Sequence, residues 1–158
     1  RNRRALKFAL RNLRCDREVV LAAVQQDWRV LQFVPEMTGD AGIMRQALLQ
    51  DPRAMQFASH ELRKDRSFLM EMIALGLEAL QFADEDMRAD RELVMAAVTR
   101  NGMELKFASA AMRRDPDIAL AAVTQTAMSW RFVARELSTN HQLKEVVLAG
   151  VQVPKTAA

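Results

Sequence analysis

Ser59, Ser109, His60, His141, Cys15 and Glu71 are the side chains here that could attack a substrate, carry a proton or hold a metal. Nucleophilic catalysis needs a hydroxyl or thiol within hydrogen-bond reach of a base. A metal needs three or four donors at ligand spacing. Cys15 is the single cysteine, so neither a disulfide framework nor a thiolate cluster can form within the chain. The two histidines lie far apart in the sequence. Ser59 and Ser109 sit in "FASHEL" and "FASAAM", where a serine reads as a helix cap before it reads as a nucleophile. Glu71, in "LMEMI", is the oddest acid, standing where other copies of the same segment have Ala. It could act catalytically or bind a ligand, and the simpler reading is a carboxylate at the solvent edge of a helix. The five glycines are scattered and make no phosphate loop. No catalytic residue, cofactor, metal or small-molecule substrate is therefore expected.

Arginine offers a second kind of chemistry. Arg14, Arg63, Arg88 and Arg113 each fall two residues before an aspartate. A ladder of arginines could track phosphates. The surrounding charges argue against it. "RCDRE", "RADRE" and "RRDPD" each set two positive charges against two negative, and only "RKDRS" has an excess, three against one. The net charge of the chain is only +3. Nucleic acid is accordingly not expected as a partner.

These residues recur because the chain repeats. "LKFALRNLRCDREVVLAAV" near the start returns as "LKFASAAMRRDPDIALAAV" about a hundred residues later. Phe8, Phe33, Phe57, Phe82, Phe107 and Phe132 mark steps of 25, 24, 25, 25 and 25 residues. Two positions before each stands Leu6, Leu31, Met55, Leu80, Leu105 or Trp130, and directly after it Ala9, Val34, Ala58, Ala83, Ala108 or Val133. Asp16, Asp40, Asp65, Asp90, Asp115 and Asn140 follow seven or eight residues on, each suited to cap a helix. A fixed period of this size points to an array of stacked units.

One unit reads as a helical hairpin. An apolar first helix ("LVMAAV", "IALAAV") follows the capping aspartate and reads as buried on several sides. Paired alanines, Ala22-Ala23, Ala96-Ala97 and Ala121-Ala122, would allow close approach. Asn101-Gly102 is expected to stop the helix with a left-handed glycine, and "MELKFA" to form a second helix. The six phenylalanines are expected in one buried row, so that Phe82→Ala would cost ~3–5 kcal/mol. Repeat two ("FVPEMTGDAGIM") is one residue short and should bend locally. The last unit carries Trp130 and an insertion near 138–142, as terminal repeats often do.

The segments "LKFASAAMRRDPDIALAAV" and "LQFADEDMRADRELVMAAV" resemble the repeat of the family known as domain of unknown function 4116. The resemblance covers about residues 5–151 and is weakest in repeats two and six. It implies an all-helical repeat module and carries over no active site.

The expected architecture is all-α, a solenoid-like array of about six short helical hairpins in one domain, 1–158. Its units start near Ala5, Val30, Ala54, Ala79, Glu104 and Ser129, with a tail at 152–158. A chain that opens "RNRRALKF" without Met is expected to be part of a longer protein. No apolar run reaches the ~20 residues of a membrane span, and a lone thiol suits a reducing compartment. The expected function is non-catalytic: a scaffold for protein partners within a larger assembly, with Phe8 and Trp130 marking sticky ends. The alternative is an RNA-binding helical repeat.

Overall fold

The structure is a computed structural model that describes residues 16–151. Among the described residues every regular element is helical and none is a strand. Contacts divide the chain into two compact units, Arg1–Phe68 and Leu69–Ala158. In a repeat array each copy packs mainly on its neighbours.

In the first unit the described elements are α1 (Arg17–Gln26), 3-10 helices at Trp28–Phe33 and Pro35–Met37, α2 (Ala41–Gln50), a 3-10 helix at Pro52–Phe57, and the short α3 (His60–Lys64). Helix α4 (Arg66–Ala74) follows. The second unit contains α5 (Glu85–Arg88), α6 (Arg91–Arg100), 3-10 helices at Gly102–Phe107 and Met112–Arg114, α7 (Pro116–Gln125), 3-10 helices at Ala127–Phe132 and Arg135–Thr139, and α8 (His141–Val151). All are parts of an all-α repeat array.

The periodic acids start the longer helices. Asp16, Asp40, Asp65, Asp90 and Asp115 each accept amide hydrogens from the first turn, as in Asp90 Oδ1 with Leu93 N at 2.8 Å and Asp40 Oδ1 with Ile43 N at 2.9 Å. Asn140 takes the same place before α8, with Leu143 N at 3.2 Å. Counting from the cap, positions +3, +4, +7 and +8 are buried in the inner helices: Leu93, Val94, Ala97 and Val98 in α6, and Ile118, Ala119, Ala122 and Val123 in α7. These helices are thus buried along one broad stripe and not all round. Ala97 and Ala122 lie in it, Ala96 and Ala121 are half-buried, and Ala22 is exposed.

The second half of each unit departs from the expected α-helix. Asp27, Asp51 and Asn101 adopt extended backbone and cap the next amide but one, that of Arg29, Arg53 or Met103, at 2.9–3.0 Å. A tight 3-10 helix of six residues follows. Its side chains eclipse every three residues, so Gly102, Leu105 and Ala108 form one buried ridge. Phe107 falls on the next ridge, behind the buried Glu104. Phe33, Phe57, Phe82, Phe107 and Phe132 are half-buried and do not form the expected buried row. The buried places belong to Leu31, Met55, Leu80 and Leu105 before them and to Val34, Ala58, Ala83 and Ala108 after them. The Lys106 ammonium lies over the Phe107 ring, 4.3 Å from its centroid. Phe8 lies outside the described residues, as do Arg14, Cys15 and the tail.

Gly102 does not take a left-handed conformation. It opens the 3-10 helix, fully packed against α7, and a β-carbon there would run into the carbonyl of Ala122. The left-handed glycine is Gly76, with φ +82°. Its amide bonds Ile73 O at 2.9 Å and that of Leu77 bonds Met72 O at 3.0 Å. This paired closure ends α4. In repeat two the short spacing is absorbed by the Pro35–Met37 turn and a buried Thr38, whose hydroxyl donates to Pro35 O at 2.8 Å.

Candidate functional site

Among the described side chains that raised the question of catalysis, the serines act as caps and the histidines face solvent. Ser59 and Ser109 cap turns, accepting from Leu62 N at 3.4 Å and Met112 N at 3.3 Å. His60 is exposed. His141, also exposed, faces Glu145 at 3.5 Å along α8. Glu71 is half-buried in α4. Among the described residues, no three His, Cys, Asp or Glu side chains group closely enough to hold a metal. No helix there is long and apolar enough to cross a membrane.

Glu104 is the acid that the sequence reading passed over. It is only 3% exposed. The same register position holds Val30, Ala54, Ala79 or Ser129 in other copies, all buried. An acid in a slot otherwise reserved for small or apolar groups was the available signal. Its Oε2 accepts the Leu80 amide hydrogen at 3.0 Å, tying the 3-10 helix at 102–107 to the irregular segment after Gly76. Asn101 adds a second tie, donating through Nδ2 to Glu78 Oε1 at 3.1 Å. Burial pushes the Glu104 carboxyl up to about 7, and the nearby Glu78 charge pushes it the same way. The Leu80 amide and Lys106 pull it back. A small cavity of about 130 Å³ beside it is lined by Gly76, Glu78, Arg100 and Asn101.

Elsewhere a glutamine performs the clasp. Gln125 accepts from Gly102 N at 2.7 Å and donates to Arg100 O at 3.1 Å. Gln50 does the same in the first unit, accepting from Trp28 N at 3.1 Å and donating to Val24 O. Arg100 occupies the corresponding place in α6, so the segment before Leu80 relies on Glu104.

The arginines divide into two groups. Arg17 bonds Asp40 at 2.7 Å, and Arg91 bonds Asp115 at 2.9 Å and Asp117 at 2.7 Å, each bridging successive repeats. The hydrogen bond to Arg17 holds the Asp40 carboxyl below the usual range. At Asp115 burial pushes upward but is outweighed by the amides of Ile118 and Asp117 and by Arg91, so its carboxyl also lies low. Arg63 and Arg88 point inward along the chain. Arg63 donates to Ala58 O at 2.9 Å and Gln56 O at 3.0 Å, and Arg88 to Ala83 O at 2.9 Å and Gln81 O at 3.2 Å. They satisfy the carbonyls at the end of the preceding turn. Their spacing reflects that structural task.

The last helix leaves part of its stripe open. At position +8, Val24, Leu48, Ile73, Val98 and Val123 are 0–3% exposed, whereas Leu148 is 60% exposed. At +4, Val20, Met44, Leu69, Val94 and Ala119 are buried, and the last copy has the exposed Lys144. Met128 is also exposed, at 64%, while Trp130 is half-buried. Position +3, Leu143, is buried as in the inner copies.

The family model described as Domain of unknown function (DUF4116) matches this chain three times, at residues 1–37, 40–88 and 90–138. No curated protein and no solved structure matches it.

Proposed function

The chain belongs to the DUF4116 family, and on that premise we propose that it is a non-catalytic helical-repeat scaffold that binds protein partners. The observation that carries this reading is the open seam of α8. Positions +4 and +8 are where an inner helix receives its neighbour. In the last copy one has become Lys144 and the other, Leu148, is apolar and exposed. The surface that fits such a seam is a helix pair presenting apolar side chains at the repeat's own spacing, since that is what covers it in the preceding copies. Leu148 and Met128 are exposed apolar side chains, and a contiguous apolar patch is the kind of surface that marks an interaction site. The partner is accordingly a helical protein, and the assembly is an extension of the stacking already present.

The experiment is an affinity capture from native extract with three baits: the wild-type chain, Leu148→Lys, and Met128→Lys with Leu148→Lys. Sedimentation velocity on each bait shows whether the chain also associates with itself. The expected result is a defined set of proteins, or a self-associated species, held by the wild type and lost by the double variant. Identical behaviour of all three baits would remove the reading.

RNA binding is the second reading. Arg17 and Arg91 are paired with carboxylates and Arg63 and Arg88 are held by backbone carbonyls, so these four do not present a row of free guanidinium groups to successive phosphates. A titration with single-stranded RNA at low and moderate salt tests it. Sub-micromolar binding with a steep salt dependence would promote it.

A further inference from the structure

We propose that the cavity bounded by Arg113, Arg131 and Arg135 binds a single phosphate-class oxyanion. Three observations meet there. The first is a broken pattern. Arg63 and Arg88 spend their guanidinium groups on the carbonyls of the preceding turn. Arg113 holds the same register, and its backbone keeps it: Arg113 O accepts from Ala134 N at 3.1 Å, as Arg88 O accepts from Ser109 N at 2.9 Å. Only the side chain departs. Its Nε is buried, and among the described residues no acceptor bonds it. A buried N–H without a partner is costly, so such a group calls for an explanation.

The second observation is the surroundings. Arg113 lines a cavity of about 380 Å³ together with Arg114, Arg131, Arg135 and Glu136. That volume lies at the small end of ligand pockets. Glu136 is tied to Arg114 at 3.2 Å. Its carboxyl is held below its ordinary value, first by its own backbone amide and then by Arg114. Four arginines against one glutamate leave the lining of this cavity with an excess of three positive charges, while Asp84 and Glu85 line the adjoining cavity that Arg113 also borders. The remaining walls include Phe132, Val133 and Ala134.

The third observation selects the ligand. Guanidinium groups match both carboxylates and phosphates in forked geometry. A phosphate monoester brings about −1.5 to −2 charges where a carboxylate brings one, and it suits an excess of three better. The site is also local. Arg17 and Arg91 are paired with carboxylates, and Arg63 and Arg88 with carbonyls, so they do not continue the cluster into a track for successive phosphates. One phosphate group therefore fits better than a nucleic-acid backbone. This inference stands apart from the scaffold reading, since the cavity could serve a free phosphate ester or a phosphorylated side chain of a partner.

The test is calorimetric titration at moderate salt with inorganic phosphate, with a phosphoserine peptide and its unphosphorylated form, and with single-stranded RNA. Expected is one site for phosphate or for the phosphopeptide, with no binding of the unphosphorylated form. Affinity should fall at least tenfold in Arg113→Gln and in Arg131→Ala with Arg135→Ala. The last two positions are exposed, so that variant keeps the test meaningful if Arg113→Gln does not fold. Tighter binding of the phosphopeptide assigns the source to a protein, and equal binding assigns it to a small phosphate. Two results would overturn the site: no binding of either phosphate probe, or binding that the variants leave unchanged. RNA binding with a salt slope of several phosphates would overturn it too.

Discussion

Glu104 sets the response of its surroundings to pH. Its carboxyl lies at about 7, above the ordinary 4.5, so the folded chain holds that proton more tightly than the unfolded chain does. The stabilisation is complete below about 4.5 and is lost as pH rises through about 7. Each pH unit between those two values is worth about 1.4 kcal/mol, which sets an upper bound of about 3 kcal/mol on the loss. Glu104→Gln keeps an acceptor for the Leu80 amide and removes the titration. Urea unfolding at pH 5 and pH 8 should show the wild type losing stability at the higher pH and the variant losing less. Equal losses would refute the assignment. Asp40 and Asp115 act with the opposite sign, since their folded carboxyls lie low and their contribution disappears as pH falls through those values. A second residue-level prediction separates the repeat's marker from its core. Leu80 is fully buried and Phe82 only half. Leu80→Ala should cost ~2–5 kcal/mol, and Phe82→Ala roughly half the 3–5 kcal/mol of a fully buried ring. Thermal denaturation of the two variants decides the order.

At the scale of elements, backbone contact between the 3-10 helix at 102–107 and α7 is closer than any side chain permits. Gly102→Ala must displace the Ala122 carbonyl and should cost ~1–3 kcal/mol or more. Gly76→Ala meets open space apart from Arg100 Nη1 at 3.7 Å, so it bears only the left-handed penalty of ~1–2 kcal/mol. Denaturant midpoints should rank the two accordingly. The glutamine clasp is the polar counterpart of this contact. Gln125→Ala leaves the Gly102 amide and the Arg100 carbonyl without their partner, at about 1–3 kcal/mol for each group left unsatisfied. Hydrogen exchange should show the Gly102 amide losing protection. Gln125→Glu, which keeps the acceptor and removes the donor, should lose less. Unchanged exchange in the Ala variant would count against the clasp.

Across the molecule, one repeat position has opposite meanings in different copies. Val123 and Leu148 are both the +8 residue, 2% and 60% exposed. Val123→Lys should unfold its surroundings, because a buried charge without a partner is expensive. Leu148→Lys should change the melting temperature little, since exposed substitutions usually stay within ~0.5 kcal/mol, while it abolishes partner capture. Loss of stability in the Leu148 variant would show that the seam is covered within the chain.

The period of Phe, Asp and Ala by itself determined the all-α repeat architecture and the places where the longer helices begin, because capping and helical amphipathicity act over a few neighbouring residues, and the resemblance of two segments to a known repeat pointed to the family. Tertiary structure decided what the period could not. The marker Phe recurs in every copy, yet from Phe33 to Phe132 it is half-buried, and in most of these copies the buried places go to the large residue two before it and the small residue after it. Gly102 reads as a left-handed cap, but its role follows from a carbonyl twenty residues away. Arg88 and Arg113 share one register, and only packing around their side chains separates a guanidinium spent on carbonyls from one whose buried Nε has no acceptor among the described residues. Glu104 reads as one more charge in "MELKF", and becomes a titrating group near neutrality only because the neighbouring repeat removes it from water.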